Sequence, residues 1–455
     1  MSTTGAENGQ PEDGALPFRT ALTDTPLNWR RVVTWAMYDW GTQPFNTIII
    51  TFVFAVYLTS SSFGDINSTT SALALATTIS GLFIAVLAPV LGQAADRSGR
   101  TVTVLRVLTA LIVVLSASLF FIKPSPAYLV WGLVLFGIGS LVSEIAGVTY
   151  NATIEQVAST RSVGRVSGFG WGMGYVGGIV LLILLLALFI QSFGSSTGNG
   201  LLNVPFGTDG AALDVRLAIL ASALWFAVFA LPVLRRVPEI PARARQNRVS
   251  FFGSYVVLFG TIRALARRSP QVLLFLLASA VFRDGLAAVF TFGAIIAAQV
   301  FGFSATEVIY FAVAANLVAG VGTFAAGWLD DRIGAKNIIL GSLVGLVLAG
   351  TAVLFVGDGQ AGFWVSGLML CVFVGPVQSS SRSFLARITP PGREGEIFGL
   401  YATTGRAVSF LAPGLFTLFV GVTGDTRFGI IGIVVVLLAG LLLMLPVKAV
   451  QSQIE

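Results

Sequence analysis

Ile430-Ile-Gly-Ile-Val-Val-Val-Leu-Leu-Ala-Gly-Leu-Leu-Leu-Met-Leu445 runs without a single charge, as does Ile179-Val-Leu-Leu-Ile-Leu-Leu-Leu-Ala-Leu-Phe-Ile190. A helix crosses the roughly 30 Å of a bilayer's hydrocarbon with about 20 apolar residues. Apolar runs of this kind recur along the chain and predict helices near 32–60, 70–91, 101–122, 127–157, 165–191, 214–236, 271–300, 305–329, 337–356, 361–388, 396–420 and 428–447. Of 455 residues, 55% are hydrophobic and 11% are charged; a soluble domain carries about 25% charged residues. The expected fold class is an all-α membrane protein of about twelve transmembrane helices in two six-helix halves.

The net charge of +6 is distributed in a way that argues against nucleic acid as a partner. Its basic groups sit in short gaps between apolar runs. One set of gaps holds Arg30, Arg31, Arg97, Arg100, Arg161, Arg235, Arg236, Arg243, Arg245, Arg248, Arg267, Arg268, Arg332, Lys336, Arg387 and Arg393; the alternate gaps hold little beyond Lys123, Arg216 and Arg427. The excess of Lys and Arg on one side predicts a multi-pass protein of a cell membrane with both termini in the cytosol. Cys371 is the only cysteine, so no intramolecular disulfide forms, and the chain has no histidine, so proton chemistry falls to carboxylates. No metal or other cofactor is expected.

The predicted organisation is a polar cytosolic tail over 1–28, a six-helix bundle over 29–236, a cytosolic linker over 237–270, a second bundle over 271–448 and a short tail over 449–455. Phe251, Phe252, Tyr255, Leu258, Phe259, Ile262 and Leu265 recur at helical spacing in the linker and end at Arg263, Arg267 and Arg268. That pattern suits a helix lying in the membrane surface.

The halves repeat each other. Gly92-Gln-Ala-Ala-Asp96-Arg97-Ser-Gly99-Arg100 after the second helix recurs as Gly327-Trp-Leu-Asp330-Asp331-Arg332-Ile-Gly334-Ala-Lys336 after the eighth. Asp39-Trp-Gly in the first helix matches Asp284-Gly285 in the seventh, and Gly164-Arg-Val-Ser-Gly168 matches Gly395-Glu-Ile-Phe-Gly399. Three matches in the same order indicate a tandem repeat of six helices around a central site.

Gly-x-x-x-Asp-Arg-x-Gly-Arg is a signature of the major facilitator superfamily, and the chain resembles that superfamily over its whole length. The second copy departs from the pattern, with Ala335-Lys336 where the last Arg would stand. The resemblance implies that Gly92, Asp96, Arg97, Gly99, Arg100, Gly327, Asp331, Arg332 and Gly334 gate one end state of alternating access; otherwise these loops only set topology. Further residues narrow the likeness: Tyr38-Asp39-Trp40, Tyr150-Asn151-Ala152, residues 167–178, Asp284-Gly285, Gln378-Ser-Ser-Ser-Arg382-Ser, Phe398-Gly-Leu-Tyr401 and Phe410-Leu-Ala-Pro413. They resemble the branch that holds the fungal vacuolar amino-acid effluxers and their bacterial relatives. That implies efflux of amino acids, with a bacterial inner membrane as the setting. Arg283 departs from the branch, where a small polar residue such as Asn is expected.

Charged residues inside spans are costly and mark function. Asp39, Glu144, Arg283, Asp284, Arg382 and Arg406 stand out. Asp39, Gln43 and Asn46 share a face of the first helix beside Pro44; Glu144, Asn151 and Glu155 share one in the fourth; Gln378 and Arg382 share one in the tenth, after Pro376. The superfamily lines its path with helices 1, 4, 7 and 10. Candidate substrate contacts are therefore Asp39, Gln43, Asn46, Asn151, Tyr175, Asp284, Gln378, Arg382, Tyr401 and Arg406, and candidate coupling carboxylates are Asp39, Glu144 and Asp284. Equally, Asp39 or Asp284 pairs with Arg406 or Arg382 to hold the halves together.

The leading reading is a monomeric secondary transporter of a small polar solute, with protons as the candidate coupling ion. A sensor or scaffold that kept the fold is the alternative. An enzyme is not expected: no phosphate loop, paired metal ligands or histidine triad is present.

Overall fold

The computed structural model describes residues 26–185, 187–188, 211–239, 250–355, 359–390 and 392–448. The expected tails over 1–25 and 449–455, the linker stretch 240–249 with Arg243, Arg245 and Arg248, and the end of the fifth helix lie outside these residues. Among the described residues, twelve helices are long and apolar enough to cross a membrane, from Trp29–Leu58 to Thr426–Met444. A further helix, Phe251–Arg268, joins the sixth span to the seventh.

Local chemistry starts and stops these helices. Asn28 caps the first through its side-chain oxygen, which accepts from the N–H groups of Arg30 (3.1 Å) and Arg31 (3.4 Å). Asp65 caps the second by accepting from Ser68 N–H at 3.0 Å. The turns that follow the second and eighth spans need a positive φ, which Gly99 (62°) and Gly334 (88°) supply without strain.

Two spans are interrupted. The first runs as an α-helix over Trp29–Pro44, widens to a π-helix over Phe45–Phe52, and closes with the short turn Phe54–Leu58. Pro44 has no N–H to continue the α-helical ladder, which accounts for the change of winding there. The eleventh span, expected to be continuous over 396–420, is two helices, Glu394–Ala407 and Leu411–Thr423. Pro413 cannot donate to the carbonyl of Ser409, so the helix stops and restarts with the proline in its first turn. The other boundaries differ by a few residues; the second span, for example, extends over Ile66–Ser98.

The two halves meet along two pseudo-equivalent seams, the second span against the eleventh and the fifth against the eighth. Glycines make both seams close. A Cβ built on Gly92 would overlap the backbone of Gly395, and one on Gly399 would lie 2.5 Å from Pro89 Cα. On the other seam, a Cβ on Gly168 would lie 2.6 Å from Gly327 Cα. Small residues allow such backbone approach where apolar burial alone gives little drive to associate in lipid.

Candidate functional site

The two motif carboxylates lock the seams at the end of the bundle that carries Arg97 and Arg332. Asp96 accepts from the backbone N–H groups of Gly395 and Glu396, both at 2.9 Å. Asp331 accepts from those of Gly164 (2.8 Å) and Arg165 (3.1 Å). Each acid thus sits at the N-terminus of a helix from the opposite half, where the helix dipole favours a negative charge. Arg387 joins the second lock through Asp330 (2.6 Å) and Asp331 (3.3 Å), and Arg165 pairs with Asp331 at 2.7 Å. The basic motif residues face elsewhere. Arg97 donates to Ser254 on the linker helix at 3.3 Å, and Arg332 lies over the Trp328 ring at 3.4 Å. Arg100 is exposed at the start of the third span.

Beyond these locks a central cavity of about 270 Å³ opens between the halves. Its wall includes Asp39, Gln43 and Asn46 from the first span and Glu144 and Asn151 from the fourth. The C-terminal half contributes Arg283, Gln378, Arg382, Tyr401 and Arg406. A second chamber of about 220 Å³ shares Glu144, Arg283, Gln378 and Arg406 with it and adds Asp284 and Ser409. Among the described residues, no hydrogen bond joins the halves beyond the levels of Glu144–Arg406, Tyr175–Gln378 and Thr403–Ala85 towards the far end.

An aromatic stack sets the floor. Trp35 and Tyr38, one helical turn apart, both stack on Tyr150, with centroids 4.6 and 4.5 Å away. Trp35 Nε1 donates to Thr153 Oγ1 at 3.0 Å, and Tyr38 shares a hydrogen bond with Thr109 at the same distance. The stack fixes Asp39 and Asn151 beside Arg382. The Arg382 guanidinium donates to Asp39 (3.1 Å), Asn151 (3.2 Å), Ser167 Oγ (2.9 Å) and the Ser167 carbonyl (2.7 Å). Tyr150 OH donates to the same Asp39 oxygen at 3.0 Å. Arg382 is buried, and four of its five donors are engaged.

The layer above is more open. Arg406 pairs with Glu144 at 2.9 Å, with side chains 35% and 28% exposed. Arg283 lies 4.0 Å over the Tyr401 ring and donates to the Tyr401 carbonyl at 2.9 Å. No carboxylate ion-pairs with Arg283 among the described residues. Asp284 points away from the main cavity, and its carboxylate accepts from Ala412 N–H at 2.6 Å, capping the restarted helix of the eleventh span. Tyr175 does not line the cavity; it donates to Gln378 at 2.6 Å on the seam between the halves.

Of the expected substrate contacts, the structure therefore brings Asp39, Gln43, Asn46, Asn151, Gln378, Arg382, Tyr401 and Arg406 into one cavity, and leaves Tyr175 and Asp284 outside it. Arg283 lines it as well, and so do Tyr38 and Trp171, two aromatics that a wall of the pocket could use. Trp171 Nε1 has no hydrogen-bond partner. The signal for Arg283 was its departure from the branch's usual small residue.

Comparisons agree with this architecture. The family model described as "Vacuole effluxer Atg22 like" matches residues 60–455. The chain is 22% identical over 414 residues to the uncharacterized MFS-type transporter YxiO of Bacillus subtilis (strain 168), covering 90% of this chain and 93% of that protein. It is 27% identical over 257 residues to Autophagy-related protein 22 of Cryptococcus neoformans var. neoformans serotype D (strain B-3501A), a match that spans 52% of this chain and 47% of the fungal protein. Among solved structures, the proton:xylose symporter XylE superposes with a TM-score of 0.70 at 12% identity, over 92% of this chain and 95% of that one. A bacterial homologue of the iron transporter ferroportin in its outward-facing state gives 0.64 at 15%, over 91% and 98%. These last two likenesses concern the fold. The chain belongs to the Atg22-like vacuole effluxer family and is a multi-pass membrane transporter of the major facilitator superfamily, not an enzyme.

Proposed function

We propose that the transporter carries a small carboxylate-bearing solute, an amino acid in the first instance, through the central cavity by rocking of its two halves. The observation that carries this reading is Arg283, a cation on the cavity wall that forms no ion pair among the described residues, beside the partly open Glu144–Arg406 pair. Two guanidinium groups at one level suit a carboxylate, which guanidinium binds through charge-assisted and often paired hydrogen bonds. The amide side chains of Gln43 and Gln378 and the Asp39 carboxylate offer acceptors for an ammonium group on the other walls.

Glu144 is the proposed coupling carboxylate. Its partner Arg406 is one of the two cations that would meet the solute, so solute binding and the Glu144–Arg406 pair act on the same group. With the termini in the cytosol, as the basic gaps favour, the locked seams lie on the cytosolic side. Efflux then requires those seams to part, and the name of the fungal relatives' family supports that direction.

Counterflow into proteoliposomes tests the proposal, using radiolabelled amino acids, other carboxylates and a neutral sugar, with and without a proton gradient. Exchange of a carboxylate solute that falls at least tenfold in Arg283→Gln supports the reading. Absence of exchange for every carboxylate tried, by a preparation that exchanges the sugar, overturns the substrate class. Binding without any flux would favour a sensor instead.

A further inference from the structure

A third cavity, of about 470 Å³, lies apart from the transport path at the basic end of the N-terminal half. It is lined by Arg30, Arg31 and Thr34 from the start of the first span, Gln156 and Val157 from the end of the fourth, and Arg236, Val237 and Pro238 from the end of the sixth. Three arginines from two spans, Arg30, Arg31 and Arg236, converge here, and none forms an ion pair or hydrogen bond through its side chain among the described residues. Thr34 donates its hydroxyl to the Arg30 carbonyl at 2.7 Å, so its donor is already used.

The nearby acids are otherwise engaged. Glu239 accepts from Val102 N–H at 2.8 Å and lies 3.9 Å from Arg106. Glu155 is buried behind Gln156, whose amide reaches it at 3.4 Å. Gathering three like charges in one concavity, with no carboxylate paired to them among the described residues, costs free energy, and that cost is relieved when an anion occupies it. The donors are guanidinium groups, whose planar fork matches the oxygens of a phosphate. The depth is also informative. Trp29 begins the first span, Arg236 ends the sixth and Gln156 ends the fourth, so the cavity sits where helices leave the hydrocarbon and lipid phosphates lie.

We propose that the Arg30–Arg31–Arg236 cavity is a phosphate-binding site at the membrane boundary, occupied by the headgroup of an anionic phospholipid. A soluble phosphate offers the same chemistry, and its place in water rather than at the boundary makes it the source the test must separate. The occupied site ties the first, fourth and sixth spans together at the end where the seams lock.

The test uses the full chain in nanodiscs of phosphatidylcholine with and without phosphatidylglycerol, followed by native mass spectrometry of retained lipid. Inorganic phosphate alone is the second probe, read by thermal shift. Arg236→Gln is compared with Arg235→Gln, which removes the same charge from an exposed neighbour that does not line the cavity. Wild type is expected to retain phosphatidylglycerol, Arg236→Gln to bind it about fivefold more weakly, the effect of one basic group near an anionic surface, and Arg235→Gln to match wild type. Equal loss in both variants, or a wild type that neither retains phosphatidylglycerol selectively nor is stabilised by inorganic phosphate, overturns the site. Stabilisation by inorganic phosphate that is lost in Arg236→Gln, without any phosphatidylglycerol retention, keeps the phosphate chemistry and overturns the lipid source. Both arginines are exposed, so both variants are expected to fold.

Discussion

Asp39 of the first span and Arg382 of the tenth meet at 3.1 Å across the two halves, at the floor of the central cavity. Arg382 is held so completely by Asp39, Asn151 and Ser167 that the pair reads as a hinge point between bundles. In the proposed reading, the solute's carboxylate is left to Arg283 and Arg406 in the layer above it.

Breaking that pair leaves a buried charge without its partner. Asp39→Asn and Arg382→Gln are each expected to lower stability by about 3–5 kcal/mol. The double variant is expected to recover part of the loss, because neither charge is then stranded. Unfolding midpoints of the four proteins in one detergent check this. Single variants as stable as wild type would show that the pair is not the tie described.

Asp284 caps the restarted helix of the eleventh span through Ala412 N–H. Asp284→Ala is expected to cost about 1 kcal/mol, as loss of a helix cap does. Asp284→Asn should retain most of that, since an amide oxygen still accepts. Thermal unfolding of both variants separates a cap from a coupling group. An Asn variant that keeps its stability and loses all proton-driven flux would return Asp284 to the coupling machinery.

The seams close because Gly168 and Gly327 let two backbones touch. Gly168→Val is expected to hold this seam apart and shift the population to the opposite end state. A cysteine probe at Ser379, buried beneath the lock, should then react with a hydrophilic thiol reagent many times faster from the basic side. Unchanged labelling would mean the seam tolerates the side chain and does not gate.

Asp96 and Asp331 hold the same seams through helix N-termini of the opposite half. Asp96→Asn and Asp331→Asn each weaken closure by roughly 1 kcal/mol, about a fivefold change in the ratio of end states. Spin-label distances across the basic end check the direction: the longer-distance population should grow in both variants.

Much of the fold was legible because the bilayer imposes it. A charge-free run such as residues 430–445 has few alternatives to a spanning helix. The tandem motifs gave the two halves, and the cavity's polar face on the first span was visible from the spacing of Asp39, Gln43 and Asn46. Pairings across the halves were not. Asp39 was as compatible with Arg406 as with Arg382, and only the packing of Trp35, Tyr38 and Tyr150 decides between them. The break in the eleventh span was foreshadowed by Pro413 alone, while its cap comes from Asp284 on another helix. Arg283 was visible as a charge inside a span, but that it lines the cavity and forms no ion pair among the described residues is seen only in three dimensions.

Alternating access requires the charged groups within the bundle to face a wet path that opens to each side in turn. Labelling of Ser143→Cys in a Cys371→Ser background, by a membrane-impermeant thiol reagent applied to each side in turn, tests it most directly. Fast labelling is expected from the side away from Arg97 and Arg332, with protection by transported solute and new labelling from the basic side when Asp96→Asn and Asp331→Asn are combined. A cysteine that stays unlabelled from both sides, in a protein that is folded and inserted, would show that the cavity is not a solute path.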